Sequence, residues 1–163
     1  MRKGLKTMDY RIETLSDIPV PVVGVKRAYA TGQKAQENIF KFWMEFEAMG
    51  YKNHLISQSN QYLEGLLGVC LPKENGEMHY LIGVTNEETQ SDWEQVELVE
   101  GRYLVFDAKG PVPESIKQAM QTIHRKILHT LDYELRSAPF FELYKPGELH
   151  SNDYITEIWF PIK

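Results

Sequence analysis

The sequence predicts an α+β fold: two fused βαββ units in a pseudo-twofold arrangement, with antiparallel sheets, helices on one face and a ligand groove on the other. Three observations carry this expectation. The order strand, helix, strand, strand is legible twice along the chain, in segments of similar length. Each half holds a segment whose apolar residues recur at the three-and-four spacing of a half-buried helix. The chain closes on Phe140–Tyr144 and Tyr154–Ile162, both rich in aromatic and branched residues and separated by Lys145-Pro146-Gly147, as two antiparallel strands would be.

Residues 1–8 read as a flexible tail and 9–163 as a single domain, with halves at about 9–90 and 95–163. The first half opens with a strand at Ile18–Val25, whose prolines put its start at a sheet edge. Ala35–Met49 follows as a helix. Its stripe of Ile39, Phe42, Trp43, Phe46 and Met49 is expected to be core, and Gly50 supplies the stop. Strands at Gln61–Leu71 and Glu77–Thr85 are joined by a turn containing Asn75-Gly76, a pair that tolerates the positive φ of a tight hairpin. The acidic stretch of Glu87, Glu88, Asp92, Glu94, Glu97 and Glu100 reads as a solvated linker.

The second half repeats the pattern. A strand at Gly101–Ala108 leads through Gly110-Pro111-Val112-Pro113 into a helix with the stripe Ile116, Ala119, Met120, Ile123, Ile127 and Leu131, and then into the closing strands. Tyr62–Gly65 can be laid over Phe140–Leu143, and His79–Val84 over Glu157–Ile162.

Composition narrows the function. A net charge of −5 with scattered Lys and Arg argues against direct nucleic-acid binding, which needs clustered positive charge on phosphates. No run approaches the ~20 apolar residues of a membrane span, and the start lacks the apolar stretch of a secretory signal. Cys70 is the single cysteine, so no internal disulfide can form, and a cytoplasmic location is expected. In its apolar strand Cys70 reads as a buried, inert thiol. His124 and His129 stand five apart, the wrong interval for two ligands on one helical face, so no metal and no cofactor are expected.

Candidate site residues come from strand alternation. Phe140, Glu142 and Tyr144 share one side of their strand, and Glu157 and Trp159 share one side of the next. Taken alone, the glutamates fit either a solvated strand face or a pocket. Aromatic walls around an acid suit a flat cationic or polar organic ligand. Aligning the repeats adds Tyr62, Glu64 and His79 to the same groove and puts Tyr80 on the helix-covered side, outside the site. The chain has no Gly-x-Ser-x-Gly elbow, no phosphate-binding glycine loop and no paired-His metal motif. Acid–base chemistry by Glu142 is therefore the enzyme route left open.

The two halves, the strands Tyr80–Val84 and Glu100–Phe106, and the ending Phe141-Glu142-Leu143-Tyr144 … Thr156–Ile162 resemble the gyrase-inhibitor-like (GyrI-like) domains over nearly the whole chain, from about Tyr10 to the end. These domains also serve as effector-binding modules of AraC-type and MerR-type multidrug regulators. The resemblance implies a small-molecule pocket between the halves, with Glu142 as its central acid and Glu157 as a second. It also implies aromatic walls from Tyr144 and Trp159. Regulators of the family carry a DNA-binding module before the pocket. Here only about nine residues precede the first strand region, where the resemblance begins, so a stand-alone member is expected. Some stand-alone members hydrolyse cyclopropane-containing electrophiles and one branch inhibits gyrase by protein contact. The ligand expected is a small amphipathic molecule, cationic or aromatic.

Overall fold

A computed structural model of the chain describes residues 10–15, 20–30, 35–72, 77–88 and 93–163. The expected tail at 1–8, the strand start at Ile18-Pro19, the Asn75-Gly76 turn and Asp92 lie outside the described residues. The elements run β1 (Tyr10–Leu15), β2 (Val20–Ala30), α1 (Ala35–Met49), α2 (Lys52–Ser57), β3 (Leu66–Pro72), β4 (Glu77–Thr85), β5 (Glu94–Leu98) and β6 (Gly101–Lys109). Then come α3 (Glu114–Thr122), which passes into a π-helical turn at Ile123–Ile127, β7 (Phe140–Tyr144) and β8 (Ile155–Pro161).

The eight strands of the described residues form one sheet in the order β1-β6-β8-β7-β3-β4-β2-β5, with every neighbouring pair antiparallel. Read outward from the β3–β7 seam, the halves are β3-β4-β2-β5 and β7-β8-β6-β1, so the two βαββ units are fused edge to edge as expected. Each unit's leading strand crosses over: β1 pairs with β6 of the second unit, and β5 pairs with β2 of the first. The halves are laced together by their own edge strands.

Strand β5 corrects the linker reading of Glu94–Leu98. Its exposure pattern turns Glu94 and Glu97 outward, makes Val96 half-buried and buries Leu98. An edge strand needs charge on its outer side to discourage pairing with other chains, so acidity here marks an edge rather than a loop. Gln61–Gly65, read as part of a strand, is irregular instead. Gln61 (φ 64°) and Gly65 (φ 121°) leave the extended region, and β3 begins only at Leu66.

The sheet has two unlike faces. On one, Leu66, Cys70, Tyr80 and Ile82 pack against Phe42 and Phe46 of α1, and Leu104, Phe106, Ile158 and Phe160 pack against Ala119, Ile123 and Ile127. On the other, Leu15, Val22, Val69, Leu81, Leu98, Val105, Phe141 and Trp159, one from each strand, belong to a single buried cluster. No helix among the described residues contributes to that cluster, so these side chains are buried because the twisted sheet curls until its inner face closes on itself. Phe141 stacks on Trp159 at 5.1 Å, and Tyr103 meets both rings edge-on at 5.8 and 5.7 Å. Each large apolar side chain buried this way contributes roughly 1.5–3 kcal/mol. Much of the face free of helices, where the groove was expected, is therefore filled by core. No helix of the described residues is long and apolar enough to cross a membrane.

Candidate ligand-binding site

A cavity of about 560 Å³ opens on the helix-bearing face, between α1, α2 and the start of α3. Its size falls within the few-hundred-Å³ range of small-molecule sites. Phe40, Trp43 and Met44 of α1 form one wall, Val112, Pro113 and Ile116 the other, and Glu142 and Tyr144 of β7 line it from the sheet. Phe40 and Met44 are exposed to solvent although both are large and apolar. Apolar surface left uncovered along one cavity is characteristic of a ligand groove.

The acid at the sheet is held by a relay of side chains. Glu142 is buried, with 9% of its surface exposed. Its Oε1 accepts a hydrogen bond from the Tyr144 hydroxyl at 2.7 Å and another from the Tyr80 hydroxyl at 3.3 Å. The Tyr80 oxygen in turn accepts from Trp43 Nε1 at 2.9 Å, which leaves its proton for Glu142. Burial raises the Glu142 carboxyl above the ordinary carboxylate range, against the downward pull of the Tyr144 and Tyr80 hydrogen bonds. Burial first, then the charge of Glu142, pushes both phenols well up, so they remain protonated donors. Burial, helped by Glu142, also pushes the Cys70 thiol up and keeps it in its unreactive form, as expected. Trp43 stands edge-on to Tyr144 with ring centroids 5.0 Å apart, so ring packing and hydrogen bonding fix the same indole.

Two glycines make room for this arrangement. Gly68 lies opposite Glu142 across the β3–β7 seam. A Cβ there would overlap the Tyr80 hydroxyl and come within 3.3 Å of Glu142 Oε1. Gly65, at φ 121°, is pressed against the Tyr144 carbonyl, so any side chain there meets both strain and backbone. Gly65→Ala is expected to cost about 1–3 kcal/mol. A thermal melt checks this, and an unchanged midpoint would contradict it.

The sequence-derived site divides across the sheet. In the β7–β8 register Glu142 faces Ile158 and Leu143 faces Glu157, so the two acids project from opposite faces. Glu142, Tyr144 and Glu64 line the large cavity. Glu157, Trp159 and Tyr62 instead line a smaller depression of about 320 Å³, which Glu64 also borders. There Glu157 Oε1 accepts from Trp159 Nε1 at 3.0 Å, while Oε2 meets Arg11 at 2.7 Å and Lys145 at 2.9 Å. Burial opposes ionisation of Glu157, but Lys145, Trp159 and Arg11 outweigh it and hold its pKa down. His79 lines neither cavity and stands 3.6 Å from Glu77.

Tyr80 and Trp43 are the residues that sequence reasoning left out. Strand parity puts Tyr80 on the helix-covered side, where it lies, but that side carries the cavity. Helical spacing groups Trp43 with Phe42 and Phe46 as core. Those two are fully buried, whereas Trp43 is half-buried at the cavity wall. Met49, read as part of the buried stripe, is exposed.

The model of the GyrI-like small molecule binding domain matches residues 8–163. The chain belongs to this family. The GyrI-like fold extends to solved structures. A candidate bacterial transcription regulation protein from Staphylococcus aureus MU50 is 37% identical, with a TM-score of 0.88 over 96% of this chain and 99% of that one. The structure of SAV2435 bound to tetraphenylphosphonium is also 37% identical, with a TM-score of 0.87 over 96% of this chain and 94% of that one. EcmrR in complex with DNA, 14% identical with a TM-score of 0.58 over 99% of this chain and 59% of that one, shares the fold alone. No curated protein matches the chain. As a GyrI-like domain it is a small-molecule-binding module.

Proposed function

We propose that this GyrI-like domain binds lipophilic organic cations in the cavity between α1 and α3, with Glu142 as the counter-ion. The observation that carries the reading is a buried carboxylate beneath aromatic walls with no ion pair among the described residues. Of those residues, Lys52, Lys117 and Lys145 border the cavity, and each pairs with an acid: Glu47 at 3.2 Å, Glu114 at 3.8 Å and Glu157 at 2.9 Å. Glu64 and Glu142 border it without an ion pair among the same residues. With the three lysines engaged by acids, the charges of the described residues left without an ion pair on this cavity are those of Glu64 and Glu142. Trp43 and Tyr144 offer rings to a cation, worth about 0.5–2 kcal/mol each when desolvated. The tetraphenylphosphonium complex of SAV2435 supports the same ligand class. An acid–base enzyme reading would rest on the same Glu142, but Glu157 projects from the other face and supplies it no second acid.

The test compares ligands of one shape and opposite charge. Calorimetric titration should give tetraphenylphosphonium at least tenfold tighter binding than tetraphenylborate at neutral pH, a difference of about 1.4 kcal/mol or more. Equal affinity, or preference for the borate, would remove the carboxylate from the reading. The pH dependence has a definite sign. The cation favours ionised Glu142, whose pKa in the empty protein is raised. Affinity should therefore climb as pH rises through that elevated value and then level off. A flat profile across the acidic range would contradict the assignment.

A further inference from the structure

We infer that Glu157 works as a latch that keeps the Lys145 ammonium group out of the cation cavity, so that an acid on the far face of the sheet governs affinity at the near one. This rests on the cation-binding reading above. Lys145 borders both cavities, and so does Glu64. The backbone of Lys145 is anchored, because its carbonyl accepts the Tyr154 hydroxyl at 2.6 Å and its Cα lies against Gly65, the neighbour of Glu64. Only the side chain has a choice of partner. It now reaches Glu157 Oε2 at 2.9 Å and makes no ion pair with Glu64 or Glu142. Loss of the Glu157 charge would not affect its two cationic partners alike. Arg11 keeps Glu13 at 2.7 Å and Asp107 at 3.2 Å. Lys145, among the described residues, has no ion pair other than that with Glu157. Released, it still borders the cavity that Glu64 and Glu142 line, and there it competes directly with a ligand cation.

The experiment pairs binding with structure. Glu157→Gln retains the side-chain volume and an acceptor for Trp159, and is expected to weaken tetraphenylphosphonium binding at least fivefold. Adding Lys145→Met to the same protein should restore affinity to within about twofold of wild type. Unchanged affinity in Glu157→Gln, or a loss that the second substitution does not repair, would overturn the latch. The crystal structure of Glu157→Gln decides it independently of any ligand. Lys145 Nζ within ~4 Å of Glu64 or Glu142, ion-pair range, supports the latch. Nζ left beside the substituted side chain or turned to solvent refutes it. If the wild-type protein fails to bind tetraphenylphosphonium, the cation reading falls, and the position of Nζ still decides the latch.

Discussion

Glu142→Gln should weaken tetraphenylphosphonium binding at least tenfold, about 1.4 kcal/mol, without lowering the melting temperature at neutral pH. The two effects have one cause. A carboxyl whose pKa is raised by burial is ionised more easily in the unfolded chain than in the folded one. Its ionisation therefore opposes folding: stability falls as pH rises from the unfolded pKa through the folded one, and the whole cost is present above both. Glutamine removes that cost while its carbonyl oxygen can still accept from Tyr80 and Tyr144. The variant should melt at or above the wild-type temperature at neutral pH, and the gap should narrow as the solution is acidified. A variant that binds as tightly as wild type, or that melts well below it at neutral pH, would show that Glu142 is a structural acid. The binding site on this account holds an unfavourable charge in readiness for its ligand, a trade of stability for function.

Gly68→Ala should damage both fold and site through a single methyl group. The new Cβ would occupy the space of the Tyr80 hydroxyl. Tyr80 is fully buried and held edge-on to Phe42 and Trp43, so its ring has little freedom to retreat. Overpacking of this kind costs about 1–3 kcal/mol, which corresponds to a melting-point loss of roughly 2–12 °C for a chain of this size. Displacement of the hydroxyl also breaks the relay from Trp43 to Glu142, so cation affinity should fall in whatever fraction remains folded. Tyr80→Phe separates the two consequences, since it removes the hydroxyl without the clash. It should lose affinity with a smaller change in melting temperature. Normal melting and normal binding in Gly68→Ala would contradict the close approach.

Much of the fold was legible because hydrophobic periodicity is a local signal. The stripes of α1 and α3 and the alternation within β7 and β8 need only neighbouring residues, and the two fused units followed from their order. The position of the site depended on register, which is not local. Glu142 and Glu157 belong to adjacent strands joined by a long loop. Where no tight turn fixes the pairing, a shift of one residue carries an entire strand's side chains to the other face. Taking the acids as partners assumed a pairing that β7 and β8 do not make. The same limit hid β1 and β5, whose partners lie in the opposite half of the chain. Gly68 did leave a trace: a glycine inside the apolar run Leu66-Leu67-Gly68-Val69-Cys70 signals close approach of another group. The trace does not say which group approaches. Trp43 shares a helix face with core residues and differs from them only in lying at the margin of the buried stripe, where periodicity is blind.

The most direct measurement is a crystal structure of the protein grown with tetraphenylphosphonium. The phosphonium should lie between α1 and α3, with its phenyl rings against Trp43 and Tyr144 and its charge over Glu142. Density for the ligand in the depression beside Trp159 and Glu157, with the cavity above Glu142 empty, would contradict it.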